Sequence, residues 1–467
     1  MTMSTSLPPC GPLLPTDAVP APASAAPACA APADPRRRDF VRRGAAAALV
    51  AAPALSWPGG VWAAGSDAPE LREVRVGFIP LTDCASLVMA SVLKLDEKHG
   101  IRIRLSKEPS WPVIRDKLAS GELDAAHALY GLVYGMHLGA GGPKTDMAVL
   151  MTLNNNGQGI TLSKALAQRG AIDGPTLARQ VLGERREFTF AQTFPTGTHA
   201  MWLFYWLAAH GIHPLRDARI ITVPPPQMVA RMQAGNMDGY CVGEPWNHRA
   251  IADGVGITAA TSQQVWPDHP EKVLGCTAAF VQRHPNTARA LIMATLEASR
   301  WIDASQANRL KTAAVIAAPA HVNTSVDTIS ERILGHYQNG LGRTWDDANF
   351  MRFFNDGAVN YPYLSDGMWF ITQHKRWGLM KGDVGDNGVM LRQLNRAGRD
   401  RTAVFGEADY QSVARAINQT TLYRQAASQL KINLPSSDLR SSRLIDGKVW
   451  DGQRPAEYAA SFAIRAS

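Results

Sequence analysis

From about Glu70 onward, short apolar runs of strand length alternate with helical-period stretches stopped by glycine. That alternation restricts the chain to sheets covered by helices. Val74–Ile79 reads as a buried strand ending at Pro80. Ala85–His99 reads as a helix with Leu87, Val88, Val92 and Leu95 on one face and Gly100 as its stop. Ile101–Leu105 is a strand, Trp111–Ser120 a helix closed by Gly121, and Leu123–Ala128 a strand. This β-α-β-α-β run implies a parallel sheet.

A second unit repeats the pattern. Phe188–Ala191 is a strand, Pro195-Thr196-Gly197-Thr198 a loop, and His199–His210 a helix stopped by Gly211. Strand Ile220–Val223, helix Gln227–Ala234 and strand Gly239–Val242 follow. Val273–Val281 reads as a further strand, and 286–303 and 326–339 carry a helical period. Leu434 to Arg454 is polar and rich in turn signals, as in a tail wrapped over a surface. Two such units predict two lobes with a cleft, because open α/β sheets bind ligands beyond the carboxyl ends of their strands.

The first 63 residues read as an address. A Pro/Ala-rich extension precedes Arg36-Arg37-Arg38-Asp39-Phe40-Val41-Arg42-Arg43. An uncharged apolar run follows from Gly44 to Leu55, then Val61-Trp62-Ala63 of the A-x-A type. Basic, apolar and cleavable segments in that order describe an export signal. The Arg37-Arg38-x-Phe40-Val41-Arg42 order resembles the twin-arginine signal. The apolar run is too short to span a bilayer, which needs about 20 residues. The expectation is therefore a chain exported through the twin-arginine machinery, cut near Ala63, periplasmic, and without a transmembrane segment thereafter.

Composition removes several classes of function. Of 467 residues, 46% are hydrophobic and 19% charged, so wholesale disorder is excluded. Five cysteines are too few for a disulfide scaffold. Cys84, Cys241 and Cys276 follow the leader, far apart, and are expected to be buried small side chains. The net charge of +8 contains no run of five basic residues, so a nucleic-acid surface is not supported. No nucleophile elbow, zinc-protease helix, phosphate loop or dinucleotide loop is present, so no enzyme, metal site or cofactor is expected. Gly382-Asp383-Val384-Gly385-Asp386-Asn387-Gly388 reads as a surface turn. One loop does suggest a ligand. Pro195-Thr196-Gly197-Thr198-His199 stands between a strand and an apolar helix. Free N–H groups at that helix start favour an anion, and Thr196, Thr198 and His199 add donors.

The same segments form a longer series. It includes Gly77-Phe78-Ile79-Pro80-Leu81-Thr82-Asp83, Ser110-Trp111, Asn156-Gly157-Gln158-Gly159-Ile160 and Thr193-Phe194-Pro195-Thr196-Gly197-Thr198-His199. It continues with Val223-Pro224-Pro225-Pro226-Gln227-Met228-Val229, Cys241-Val242-Gly243-Glu244-Pro245-Trp246-Asn247 and Asp268-His269-Pro270-Glu271-Lys272. In this order the series resembles the substrate-binding proteins of nitrate/nitrite and bicarbonate ABC transporters, especially their nitrate-binding members. The resemblance implies a type-II periplasmic binding protein fold: two α/β lobes around an anion-binding cleft, a helical C-terminal part and a wrapping tail. It implies lobe 1 from 70–157 and 266–430, lobe 2 from 158–265, and a tail from 431–467. It implies capture of nitrate and nitrite, delivery to a membrane permease with its ATPase subunits, a part in nitrate assimilation, and no catalysis.

By motif, the resemblance assigns the cleft to Trp111, Gln158, His199 and Lys272. Backbone contacts from Asn154 to Gly157 and the hydroxyl of Thr198 complete the set. Nitrate is flat, singly charged and only accepts hydrogen bonds, so it calls for donors and one net positive charge, here from Lys272. Bicarbonate must also donate. Its binders in this family carry a carboxylate where the nitrate binders keep the lysine, and use a metal cation. Lys272 favours nitrate, although Glu271 is its neighbour. The alternatives are a bicarbonate- or other small-anion-binding component, or a nitrate-sensing regulatory protein. Closure would hinge near residues 155–165 and 255–275.

Overall fold

The computed structural model describes residues 67–140, 142–380 and 406–466. The expected export leader and the 382–388 turn lie outside the described residues. Ten strands matter to the site. They are β1 (Glu73–Phe78), β2 (Arg102–Lys107), β3 (Ala125–Leu129), β4 (Met147–Asn155) and β5 (Gln158–Ser163). The others are β6 (Thr189–Gln192), β7 (Arg219–Thr222), β8 (Gly239–Gly243), β9 (Gly256–Thr261) and β10 (Pro270–Thr277). They form two five-stranded sheets, in the orders β2-β1-β3-β10-β4 and β7-β6-β8-β5-β9.

The two orders follow one plan. In each sheet three strands run parallel: β1 with β2 and β3, and β6 with β7 and β8. The fourth position is antiparallel to both neighbours: β10 between β3 and β4, β5 between β8 and β9. The sheets are therefore mixed, where the β-α-β alternation implied parallel ones. The antiparallel member is in each case the strand that has just crossed from the other sheet. Because it runs backwards, it begins where the parallel strands end. Each crossing strand thus starts at the cleft end of its sheet, Gln158 on β5 and Pro270-Glu271-Lys272 on β10.

Local chemistry explains most element ends. The Trp111–Ser120 helix starts from an extended Ser110, places Pro112 in its first turn, and stops at Gly121 with φ of 77°. Strand β10 stops at Thr277 instead of running to Val281. The Thr277 hydroxyl accepts the Phe280 N–H at 3.2 Å and opens a helix, Ala278–Arg283. The helical stretch expected over 326–339 ends at Leu334, since Gly335 adopts φ of 89° and His336–Gln338 pairs as a short strand.

The Thr198–Ala209 helix is buried along nearly its whole length. Its Trp202 stacks on Trp266 at 5.7 Å and meets Trp369 at 4.9 Å. The C-terminal part therefore packs directly on the second unit. Arg332 pairs with Glu244 at 3.3 Å, and His374 Nε2 donates to the Thr196 carbonyl at 2.8 Å. The tail follows the surface but is anchored. Trp450 is buried and donates to the Ser365 carbonyl, and the Tyr205 hydroxyl donates to Asp446. Cys84, Cys241 and Cys276 are buried free thiols. No described helix is long and apolar enough to cross a membrane.

Candidate functional site

The carboxyl ends of the strands gather the chemistry. Asp83 follows β1, Trp111 opens the helix after β2, and His127 lies on β3. Gln158 begins β5, His199 sits in the first turn of the helix after β6, and Glu271 and Lys272 begin β10. All seven side chains are fully or almost fully buried.

Lys272 is the centre. Its ammonium donates to Asp83 Oδ2 at 2.8 Å and to Glu271 Oε1, and lies 5.8 Å from the Trp111 ring. Adjacent residues on a strand ordinarily face opposite ways. Here the ladder to β4 slips on both sides of Lys272, a bulge that lets Glu271 and Lys272 meet. Glu271 Oε1 also pairs with His199 Nε2 at 2.9 Å, and His199 Nδ1 with the Thr193 hydroxyl at 2.6 Å. On the other side, Asp83 Oδ1 meets His127 Nε2 at 2.5 Å, and the Ile79 N–H donates to His127 Nδ1 at 3.4 Å. The result is one chain of groups, Thr193–His199–Glu271–Lys272–Asp83–His127, running from one sheet end to the other.

Burial and charge pull against each other in this chain. Burial raises the Asp83 and Glu271 carboxyls, yet the Lys272 ammonium and the imidazoles bring both below their ordinary range. Burial lowers the Lys272 ammonium, and the two carboxylates more than restore it. His199 is lowered by burial, which Glu271 offsets only in part. Lys272 is thus charged, and both carboxylates are ionised. The expectation of one net positive charge is corrected here: two carboxylates against one ammonium leave one negative charge.

Three donors and acceptors stand idle. Trp111 Nε1, Gln158 Nε2 and Glu271 Oε2 are buried without hydrogen-bond partners. An unpaired buried polar atom costs about 1–3 kcal/mol, so such a group marks where a ligand or water belongs. Gln158 Oε1 accepts weakly from the Cys241 thiol at 3.7 Å. Opposite Gln158 on β8 is Gly243, where an added Cβ would stand 3.3 Å from Asp83 Oδ2 and 3.5 Å from Glu271 Oε1. The second sheet thus comes within van der Waals reach of both carboxylates at a residue with no side chain.

The structure brings Trp111, Gln158, His199 and Lys272 into one neighbourhood. Thr198 serves there differently, its hydroxyl donating to the Glu271 carbonyl at 3.2 Å. Gly157 holds a left-handed turn of φ 91° between β4 and β5, with Met351 packed over its Cα. Thr196 does not face the cleft. Its side chain lies against Gly135 of the Tyr130–Leu138 helix. Asp83 and His127 carried no ligand role in the sequence reading. Asp83 lies inside the 77–83 segment, but nothing local distinguishes it from a capping aspartate. His127 sits in an apolar strand, where a satisfied core histidine looks the same. Among the described residues no group of three or more His, Cys, Asp and Glu could hold a metal ion.

The cleft is closed at its rim by two bonds between the sheets' ends. The Thr82 N–H donates to the Glu244 carbonyl at 2.8 Å, and Trp246 Nε1 donates to the Pro80 carbonyl at 2.9 Å. Outside them lies a surface groove of about 410 Å³ lined by both halves, including Pro80, Lys107, Trp246 and Arg249.

Two sheets of one plan, joined by two crossings and converging on a buried polar cluster, define a two-lobed solute-binding protein of the type-II periplasmic class. Residues 67–317 match the model of the NMT1-like family. The nitrate/nitrite binding protein NrtA of Synechococcus elongatus is 35% identical over 419 residues, covering 86% of this chain and 89% of that protein. The bicarbonate-binding protein CmpA of the same species is 28% identical, over 86% and 89%. The crystal structure of the periplasmic nitrate-binding protein NrtA from Synechocystis superposes with a TM-score of 0.75 at 33% identity, covering 85% of this chain and all of that one. The chain belongs to the NMT1-like family, and within it to the substrate-binding proteins of the nitrate, nitrite and bicarbonate ABC transporters.

Proposed function

We propose that this chain captures nitrate, and also nitrite, in the periplasm and delivers it to a membrane permease driven by ATPase subunits. The observation that carries the reading is a pair of idle buried donors, Trp111 Nε1 and Gln158 Nε2, one from each half, with the Trp111 ring 5.8 Å from the Lys272 ammonium. A flat ion that only accepts hydrogen bonds satisfies both. His199 and the N–H groups at the start of its helix add donors from the other side. Thr198 fixes that helix start to β10, and Gly157 shapes the crossing that presents Gln158. The protein binds and releases, with no chemical step. The export leader supports the periplasmic site and passage through the twin-arginine machinery, and it disfavours a cytoplasmic sensor. The lobes run over 70–157 with 266–430, and over 158–265, with 431–467 as the tail.

A second reading rests on the Asp83 and Glu271 carboxylates. They supply acceptors that the O–H of bicarbonate would use. Calorimetry separates the two readings, with nitrate, nitrite and bicarbonate titrated in turn, the last with and without calcium. Metal-free binding of nitrate or nitrite is expected. Binding of bicarbonate alone would overturn the assignment in favour of the second reading.

A further inference from the structure

The Glu271 carboxylate sits where an incoming anion needs to be. It touches the Lys272 ammonium and His199 Nε2, its carbonyl is bonded by Thr198 at the helix start, and its Oε2 has no partner. The hydrogen bonds also fix the imidazoles. Ile79 N–H donates to His127 Nδ1, and the other ring nitrogen, Nε2, is directed to Asp83. His199 can be neutral, its Nε2–H on Glu271 and its Nδ1 accepting from Thr193.

The other titratable groups that face the cluster carry no free charge: burial holds His269 neutral and keeps Cys84 a thiol. Glu244, at the end of β8, pairs with Arg332. Cys241, on β8, stays a thiol because burial raises it far above its ordinary range. What remains is Asp83 and Glu271 against Lys272, one net negative charge in a closed interior. Adding a monovalent anion would make it two. A second uncompensated negative charge in a buried site is strongly disfavoured unless something neutralises it.

We propose that Glu271 holds the anion's place in the empty protein, and that each anion captured enters with one proton, taken from solvent by the Glu271–His199 pair. This rests on the assignment of anion capture to this site. The proton resides on Glu271, making it neutral, or on His199, whose imidazolium then offsets the Glu271 charge. Thr193 fits both states, since its hydroxyl donates to a bare Nδ1 and accepts from a protonated one. The site then takes up a neutral pair, anion plus proton, and Glu271 sets how strongly the anion is disfavoured as pH rises.

The test is calorimetry on the full chain with nitrate, in two buffers of different ionisation enthalpy, repeated from pH 6 to pH 8. About one proton taken up per nitrate is expected, with the Kd weakening by up to about tenfold per pH unit, the limit for one linked proton. E271Q is expected to bind nitrate more tightly than the parent at pH 8 and without proton uptake. The proton count of the unsubstituted chain decides the matter whether or not E271Q folds. Heat that is the same in both buffers, with a Kd independent of pH, would overturn the proposal alone. No heat with nitrate, nitrite or bicarbonate at any pH would overturn the site assignment and the proposal with it.

Discussion

The two sheets share one strand plan but end in different chemistry. The first sheet brings Asp83, His127, Glu271 and Lys272 to its cleft end, a row of charged groups and their hydrogen-bond partners. The second brings Gln158, the glycine at 243 and the start of the Thr198–Ala209 helix, none of which carries a fixed charge. One half holds the fixed charges, and His199 and Thr198 of the other reach across to Glu271. The other half offers uncharged donors, one of them idle. A shared architecture thus divides labour: one sheet end fixes the electrostatics and the other completes the shape.

Replacing Lys272 with Met should strike hardest, because it leaves two buried carboxylates facing each other. Removing one member of a buried pair costs about 3–5 kcal/mol, so a large drop in the denaturation midpoint and loss of nitrate binding are expected together. A variant that melts like the parent would show that Lys272 does not hold the two carboxylates in place. Gln158→Leu, on the other side, removes a donor that has no partner in the empty protein. Its melting should hardly change, while nitrate affinity falls roughly tenfold, the value of about one good hydrogen bond. A strong loss of stability there would erase the contrast.

Acid should separate the groups next. Burial lowers His248 and His374 to about 4 and His269 to about 3. Each is neutral when folded and takes a proton on unfolding below its ordinary value of about 6.5. The unfolded chain binds more protons in that window, so stability is complete above about pH 6.5 and falls as pH drops toward 4, by up to about 1.4 kcal/mol per unit for each histidine. The Asp83 carboxylate, lowered chiefly by Lys272 against its burial, adds its loss only below about pH 4. Melting temperatures across pH 4 to 8 check the order of the two phases. The smallest effect is expected from Trp246→Phe, which deletes one rim bond to Pro80. About 1 kcal/mol of closed-state stability is lost, read in stopped flow as release of nitrate several-fold faster.

The parallel units were legible because their strands are short and bounded by Pro and Gly. The Trp111 helix was legible from its closing glycine, Gly121. Of the two crossing strands, β10 was legible from Val273 onward and β5 was not. Met147–Asn155 is buried on both faces, so it shows no alternation, and β5 and β9 are short runs whose preceding turn signals, Asn156-Gly157 and Asp253-Gly254, the sequence reading left unused. Motif likeness placed Trp111, Gln158, His199 and Lys272, and all four lie together. It could not place Asp83 or His127, whose neighbours come from 189 and 44 residues away. Nor could any pattern show that Glu271 and Lys272 share a side, because that depends on a slipped ladder.

That slip has an evolutionary reading. In a regular strand, residue 271 or residue 272 would face the cleft, and the sign of the pocket would follow from whichever did. The bulge exposes both, so moving it by one position would exchange a cation for an anion with no substitution at either residue. The charge presented at this end of the sheet therefore depends on how β10 aligns with β4 as well as on which side chains it carries.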